Sequence, residues 1–417
     1  MIRSPIVSAA ALAALVLAGA RPGAAAPASG QEARAWPREE PADSAGMSAE
    51  RLAEVDRVLE AAIADSATPG AALAVGRHGR IVRLRGYGRV DWAAGSAAVT
   101  DSTLYDAASL TKVVATTTAL MTLVADGRLD LDRPVATYLP WWGDGGKEAV
   151  TVRQLLLHRG GLPAFEPWWR DRRGRAAYRA SLAALPLAYP PGDSTVYSDL
   201  GFITLGFLVE EIAGEPLDGY LAGRVFAGLG MRDTGFRATP PDPRRIAPTE
   251  VDTVYRHAHV WGVVHDENAY AMGGVAGHAG LFSSARDLAR FAQAMLDGAR
   301  SAHEAEPRTD LFVPAMTIAR FAARHDSLSS RGLGWDTPSG RSSSGDYFGA
   351  LSFGHTGFTG TSLWIDPERD VFVVLLTNRV NPTRENQRHV ALRRAVHDAV
   401  ALAIADQAIV PRAPEGP

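Results

Sequence analysis

The segment from Ser109 to Ala125 constrains the fold most, because it reads as a helix that is apolar around most of its circumference. Such a helix is not stable on a surface and has to be covered on nearly all sides. Gly127 follows it and is a typical helix terminator. The apolar positions are Val113, Val114, Ala119, Leu120, Leu123 and Val124. The sequence therefore predicts a core built around a central helix.

One lysine, Lys112, interrupts this apolar helix. The chain has forty-one arginines and only two lysines, and arginine keeps its proton in proteins, whereas a poorly solvated lysine can lose it. Ser109 lies three residues earlier, so the hydroxyl and the amine share one helix face. We expect the apolar surroundings to bias this amine toward its neutral, basic form. The pair is typical of a nucleophile with its base, although an N-cap serine beside a surface lysine has the same spacing.

The ends of the chain carry targeting and linker signals. Arg3, the apolar run 6–20 and the small residues 24–26 have the layout of a secretory signal peptide, predicted over 1–26. An uncleaved N-terminal anchor is the alternative. Residues 27–47 are predicted as a flexible leader and 406–417 as a loose tail. No later segment is long and apolar enough for a transmembrane span, so we expect a periplasmic protein that has none after signal cleavage.

Composition argues against several function classes. The net charge is −3 and no basic block stands out, so nothing indicates binding to nucleic acid or to an anionic membrane surface. The chain has no cysteine and therefore no disulfide. His265, Asp266 and His278 were weighed as metal ligands, but they lack helical spacing and an obvious third partner, so no metal is predicted. We also predict no cofactor, since no phosphate-binding loop is present.

The pattern of elements predicts an α/β (α+β) protein. A helix opens after Ser48, and a β-hairpin follows over 71–75 and 81–87. Strands are predicted at 351–353, 362–365 and 371–377, and a long helix at 384–405. The expected domain spans 48–405, with an antiparallel sheet flanked by helices (48–129 and 255–405) and an inserted, mostly helical part (130–254). We expect the functional site where the sheet edge meets the helical part.

Two further segments complete a set of three motifs. Tyr197-Ser198-Asp199 precedes a helix, and His355-Thr356-Gly357 precedes the hairpin of the last two strands. With Ser109 and Lys112, their order and spacing resemble the serine β-lactamase-like hydrolases of the class C type, a group that includes penicillin-binding DD-peptidases and esterases. The connecting segments 127–134 and 151–158 share the resemblance. Segments 265–270 and 277–281 look like the subset with periplasmic penicillin-binding proteins.

This resemblance implies a role for each motif. Ser109 would be the nucleophile that forms an acyl-enzyme, and Lys112 with the Tyr197 phenol would be its acid/base pair. The backbone N–H groups of Ser109 and Phe358 would form the oxyanion hole, which binds charge that appears only in the transition state. The side chains expected to bind substrate are those of Asp199, His355 and Thr356, together with Gly357.

Two departures from the family pattern shape the functional prediction. Asp199 stands where an asparagine is usual, and pairing with Lys112 would hold that amine charged. His355 stands where β-lactamases have lysine, which favours the DD-peptidase and esterase branches. We therefore expect an exported serine hydrolase with DD-carboxypeptidase-like or esterase activity on a peptidoglycan peptide or a small molecule, with β-lactams as covalent ligands. The alternatives are a catalytically weak penicillin-binding or sensor module and a true β-lactamase. We expect loss of the second lysine, Lys147, to be harmless.

Overall fold

The structure is a computed structural model that describes Met1 and residues 39–240, 242–326, 329–340 and 342–413. Apart from Met1, the predicted signal peptide lies outside the described residues. All the elements below belong to one compact unit that runs from Trp36 to Pro417. In the described part of the chain, no helix is both long and apolar enough to cross a membrane.

The middle of the chain is helical, and strands lie before and after it. The α-helices are α1 (Ala49–Ala64), α2 (Thr118–Ala125), α3 (Val152–Leu156), α4 (Gly174–Ala184), α5 (Asp199–Ala213), α6 (Leu217–Leu221), α7 (Ala227–Leu229), α8 (Glu267–Ala271), α9 (Ala285–Ser301), α10 (Ala315–Ala322) and α11 (His389–Leu402). The strands are β1 (Gly70–Arg77), β2 (Arg80–Gly88), β3 (Tyr105–Asp106), β4 (Val251–Asp252), β5 (Ala258–His259), β6 (Phe282–Ser283), β7 (Phe353–Thr356), β8 (Ser362–Asp366) and β9 (Val371–Thr377).

Five strands form the main sheet, in the order β2-β1-β9-β8-β7, and every neighbouring pair is antiparallel. The hairpin of β1 and β2 turns at His78 and Gly79, and both residues have positive φ. Strand β7 is the edge strand beside β8, with Thr356 opposite Ser362. The last motif, His355-Thr356-Gly357, therefore lies at the end of an edge strand.

Both faces of the sheet are buried, because β1 and β9 alternate their side chains between two cores. Leu73, Val75 and Leu375 face helices α1 and α11. Ala74 and Val374 face the opposite side, toward the central helix and the helical part. This alternation is what a period of two residues produces when a sheet is covered on both faces.

The predicted central helix is present and completely covered, but it starts differently. Residues Lys112–Thr117 form a π-helix, and the regular α-helix α2 begins only at Thr118. Every residue from Leu110 to Leu123 is buried. A side-chain hydrogen bond accompanies the wide turns of this π-helix: Thr118 Oγ1 donates to the carbonyl of Val113 at 2.8 Å. Short π-helical segments of this kind are frequent at functional sites.

The chain ends are more ordered than the sequence predicted. The expected flexible leader is wrong for residues 39–47, because Ala42–Ala45 form a 3₁₀-helix and Met47 pairs with Ile404. The expected loose tail is wrong at its start, since Asp406 forms an ion pair with the buried Arg77 at 2.7 Å. Burial of apolar side chains and of an arginine holds both ends on the sheet.

Two element boundaries also differ from the prediction. The strand expected at 351–353 runs instead from Phe353 to Thr356, because these residues pair with β8. The helix expected from 384 begins only at His389, since the side chain of Arg384 is held by Glu250 and Glu267.

Candidate active site

Ser109 follows a strained turn at the end of a short strand. Ala108 has a φ of 48°, a left-handed conformation that is uncommon for alanine. Its N–H donates to Asp106 Oδ1 at 2.8 Å, and the other carboxylate oxygen accepts from the N–H of His265 at 2.6 Å. Asp106 is buried, which raises the pKa of its carboxyl group. This carboxylate therefore fixes the turn that presents Ser109.

The Lys112 ammonium connects the nucleophile to two other segments. Its Nζ donates to Ser109 Oγ at 3.0 Å and to the carbonyl of His278 at 3.0 Å. It also lies 2.7 Å from Asp199 Oδ1, in an ion pair, and its side chain is 0% exposed. The structure thus brings Asp199 to Ser109 and Lys112, although it lies on a separate stretch of the chain.

The sequence suggested two protonation states for Lys112, a neutral amine in apolar surroundings and an ammonium paired with Asp199. Burial alone would lower its pKa, but the charge of Asp199 and the charge and hydrogen bond of Tyr197 raise it to about 12. The expectation of a neutral, basic amine is wrong, whereas the expectation that Asp199 would hold the amine charged agrees with the structure, because this carboxylate outweighs the apolar surroundings. At neutral pH the amine is an ammonium ion.

Tyr197 is held between aromatic rings and cations. Its ring lies 4.6 Å from that of His158 and 5.9 Å from that of His355. Lys112 Nζ is 5.0 Å from its centroid, and the Arg331 guanidinium is 5.2 Å away. Cations over an aromatic face are attracted to it. The phenol is therefore fixed next to the ammonium that contacts Ser109.

His158 supports the second motif from beneath. Its Nδ1 accepts from the N–H of Ser198 at 3.0 Å, and its carbonyl accepts from Val196 at 2.9 Å. Burial and the nearby cations of Arg331 and Lys112 hold the pKa of His158 well below its usual range. The neutral imidazole thus orients the turn that carries Tyr197 and Asp199.

The third motif lies against the turn of Ser109. Thr359 Oγ1 donates to the carbonyl of Asp106 at 2.7 Å, and Thr361 Oγ1 donates to that of Ala107 at 3.0 Å. A Cβ on Gly357 would come within 2.6 Å of the Ala107 carbonyl oxygen. Only glycine allows this close approach between the two segments.

Two backbone N–H groups remain free at this junction. Within the described residues, neither the N–H of Ser109 nor that of Phe358 donates to a protein acceptor. Ser109 is half-buried, whereas the side chain of Phe358 is exposed. Unused donors on two adjoining segments beside a serine are available to a ligand oxygen.

His355 is neutral in this arrangement. Its side chain is 4% exposed, and burial together with the charges of Arg331 and Lys112 holds its pKa well below its usual range. Nδ1 donates to the carbonyl of Thr356 at 2.7 Å, whereas Nε2 has no partner among the described residues. Thr356 is half-buried beside it. The site thus lacks a cation at this position.

The three residues considered as metal ligands have other partners. His265 Nε2 lies 3.0 Å from Glu250 Oε2, and His278 Nε2 lies 2.9 Å from Asp266 Oδ1. Across the described residues, no group of three or more His, Cys, Asp or Glu side chains is placed to hold a metal ion. The two pairs brace the loop whose carbonyl at His278 contacts Lys112.

The sequence-based prediction missed several residues of the site. Asp106 shapes the turn of Ser109, the charge of Arg331 acts on His355, and Arg393 binds the carbonyl of Gly357. Single buried polar residues of this kind leave no periodic signal. Two segments marked by the resemblance gave hints: 277–281 supplies the carbonyl bound by Lys112, and 151–158 supplies His158.

Known proteins were compared with this chain. A family model described as "Beta-lactamase" matches residues 55–398. An Escherichia coli K12 protein named "Putative D-alanyl-D-alanine carboxypeptidase" is 34% identical over 384 residues, which cover 83% of this chain and 87% of that protein. A Salmonella schwarzengrund protein of the same name is 34% identical over 377 residues, covering 81% and 84%.

Solved structures share the fold. A penicillin-binding protein homologue from Caulobacter crescentus superposes with a TM-score of 0.64 at 24% identity and covers 85% of this chain and 99% of its own. A class C beta-lactamase gives 0.65 at 18% identity, with 84% and 96% covered. The hydrolase EstCE1 gives 0.65 at 23% identity, with 84% and 99% covered. The predicted fold class is confirmed.

Proposed function

The chain belongs to the beta-lactamase family of serine hydrolases, and from this premise we propose that it is an exported DD-carboxypeptidase-like enzyme that works through an acyl-enzyme on Ser109. One observation carries the proposal: a buried lysine donates to the serine hydroxyl at 3.0 Å and is itself held by a carboxylate. A 34% identical relative named "Putative D-alanyl-D-alanine carboxypeptidase" supports the substrate class.

The proposed acylation starts with attack of Ser109 Oγ on the substrate carbonyl carbon. Because Lys112 is charged, its amine orients the hydroxyl but cannot accept the hydroxyl proton. In the proposed cycle Tyr197 enters as a phenolate that the neighbouring ammonium stabilises, and its oxygen takes that proton and becomes a neutral phenol. The Oγ–C bond forms, and the carbonyl oxygen becomes an oxyanion. Tyr197 then returns the proton to the leaving group as the carbonyl re-forms.

The oxyanion would be bound by the free N–H groups of Ser109 and Phe358. Donors that are fixed before the reaction stabilise charge without reorganisation. Deacylation repeats the same steps with water as the nucleophile. Asp199 tunes the cycle because it fixes the charge on Lys112.

The neutral His355 gives a reason to keep esters as a second substrate class. A substrate carboxylate would find no cation on this side chain, and a weaker grip on a carboxylate favours uncharged esters. True β-lactamase activity is the least supported of the three, since the resemblance associates it with lysine at this position.

Export rests on the N-terminal sequence. The charged start, the apolar run 6–20 and the small residues 24–26 would direct the chain across the inner membrane, into the periplasm. Peptidoglycan peptides are found there. Fractionation of cells that produce the full chain should place the protein in the periplasmic fraction, and retention in the cytoplasm would contradict this part of the proposal.

A substrate panel tests the proposed activity. The purified protein is given a D-Ala-D-Ala peptide, a nitrophenyl ester and a chromogenic cephalosporin, and Ser109→Ala is the matched control. We expect release of D-alanine that is abolished in the variant. Hydrolysis of the ester alone would replace the carboxypeptidase by an esterase. Hydrolysis that survives Ser109→Ala would exclude the acyl-enzyme.

The Asp199–Lys112 ion pair favours one competing function, a penicillin-binding or sensor module with little turnover. A lysine locked as a cation could permit acylation but slow the steps that follow. Burst kinetics separate the two. A single stoichiometric release of leaving group without a steady state would indicate the binding module, whereas continued release indicates the enzyme.

A further inference from the structure

Arg393 is a buried cation beside the proposed oxyanion hole. It lies on α11 with only 7% of its surface exposed. Among the described residues it forms no ion pair with a carboxylate, and Arg379 is the charged group that acts on it. Burial and that neighbouring cation lower the pKa of Arg393 to about 9, so it stays charged at neutral pH. An unpaired buried charge is costly and calls for a compensating role.

The partners of this guanidinium are backbone carbonyls of the third motif. Nη2 donates to the carbonyl of Gly357 at 2.6 Å and to that of Thr361 at 2.8 Å. The same two residues close the turn, because the N–H of Gly357 donates to Thr361 O at 2.8 Å. The guanidinium therefore holds both ends of the segment that contains Phe358.

The carbonyl of Gly357 and the N–H of Phe358 belong to one peptide group. The group is planar, so fixing the carbonyl oxygen also fixes the direction of the N–H. A charged donor on the oxygen polarises the group and makes its N–H a stronger donor, an effect that a low-dielectric interior enhances. The N–H of Phe358 has no protein acceptor in the described part of the chain.

We propose that Arg393 is a positioning residue of the oxyanion hole, which orients and strengthens the N–H of Phe358 through the carbonyl of Gly357. The inference rests on the proposed acyl-enzyme function and adds to it a residue that never touches the substrate. Its effect should appear when negative charge develops on the substrate oxygen and be nearly absent in ground-state binding.

The test compares Arg393→Gln with Arg394→Gln. Arg394 lies next to it on the same helix, but its guanidinium contacts Ser342 and Asp346. Hydrolysis of a nitrophenyl ester gives kcat and KM, and inhibition by phenylboronic acid reports binding of a tetrahedral, anionic adduct. Removal of a complete oxyanion donor costs about 100- to 1,000-fold in kcat. We therefore expect Arg393→Gln to lower kcat by about 10- to 100-fold at nearly constant KM.

The boronate affinity of Arg393→Gln should fall by a similar factor, and Arg394→Gln should match the wild type in all three quantities. Arg393→Lys keeps the charge and should recover most of kcat, which covers the case in which the glutamine variant does not fold. The proposal is overturned if folded Arg393→Gln keeps wild-type kcat and boronate affinity, or if Arg393→Lys is as impaired as the glutamine variant. Wild-type protein without Ser109-dependent hydrolysis would instead contradict the proposed function.

Discussion

The two lysines of this chain occupy similarly buried positions but differ in their contacts and in their pKa shifts. Both side chains are 0% exposed. Lys112 contacts the hydroxyl of Ser109 and the carboxylate of Asp199, whereas Lys147 Nζ donates to the carbonyls of Leu182, Ala183 and Leu185 at 3.0, 2.8 and 2.8 Å. Burial is the largest influence on both amines, yet the pKa of Lys112 is raised to about 12 and that of Lys147 is lowered.

The difference between the two sites lies in their partners. The carboxylate of Asp199 overcomes the cost of burying the Lys112 charge, whereas Lys147 contacts carbonyl dipoles and the ring of Trp142, whose centroid is 5.6 Å from Nζ. Those carbonyls lie at the C-terminal end of α4, where a helix favours a cation. Burial alone therefore does not identify a catalytic lysine. The expectation that Lys147 is dispensable does not fit these three hydrogen bonds.

The largest expected effect is the loss of activity in Lys112→Arg. Arginine keeps the charge, but its larger, planar side chain does not fit a fully buried site and would displace the hydroxyl that Lys112 orients. Because misplacement of the serine oxygen is costly, esterase kcat/KM should fall by about 100-fold or more. Circular dichroism checks that the variant folds. Activity within tenfold of the wild type would remove Lys112 from the mechanism.

Lys147→Met should affect stability and leave the chemistry unchanged. The methionine leaves three helix-end carbonyls without their donor, so the free energy of unfolding should fall by about 2–4 kcal/mol. Guanidinium chloride unfolding measures this change, with the exposed neighbour Glu148→Gln as control. Activity per folded molecule should equal that of the wild type. A selective loss of kcat in folded Lys147→Met would break the contrast between the two lysines.

Paired substitutions sharpen the comparison further. Lys112→Met leaves the Asp199 carboxylate without its cation, whereas Lys112→Met with Asp199→Asn removes both charges. We expect the double variant to be more stable than Lys112→Met by about 1–2 kcal/mol. Asp199→Asn combined with Lys147→Met should show no such recovery, because those sites share no partner. If Asp199→Asn raised the stability of Lys112→Met and of Lys147→Met by the same amount, the contrast between the two lysines would be contradicted.

Asp199→Asn should produce the smallest change in rate and a clear change in pH dependence. Asp199 raises the pKa of Lys112, so its removal lets burial lower that pKa. The ammonium form would then be lost at lower pH, and the alkaline limb of the kcat/KM profile should move down by about one unit or more. Asp218→Asn is the control. An unchanged alkaline limb would mean that Lys112 does not titrate in that limb.

The sequence predicted those parts of the fold that depend on repeated patterns. The fully apolar helix, the hairpin and the last two strands follow from hydrophobic periodicity. Helix α9 was missed although Leu288, Phe291 and Met295 have helical spacing and Ser284 caps it, because strand signals were expected throughout that region. The π-helical start at Lys112 could not be predicted, since it depends on tertiary contacts.

The sequence predicted the site residues that belong to motifs. It did not settle the properties that depend on charged contacts across the fold. Ser109, Lys112 and Tyr197 are marked by residue type and order, and the structure gathers them. The sequence left two expectations for the charge of Lys112, and the 2.7 Å contact with Asp199 decides between them. The proposed role of Arg393 depends on two carbonyls far away in sequence. Such contacts are set by packing across the molecule, which a single sequence does not display.

The central claim is that Ser109 forms a covalent acyl-enzyme with the help of the charged Lys112. The most direct measurement is mass spectrometry of peptides after treatment with a fluorophosphonate or a fluorescent penicillin, in the wild type, Ser109→Ala and Lys112→Arg. The account predicts one adduct per chain on the peptide that contains Ser109, none in Ser109→Ala, and strongly slowed labelling in Lys112→Arg. An adduct on another residue, or unmodified wild-type protein, would contradict it.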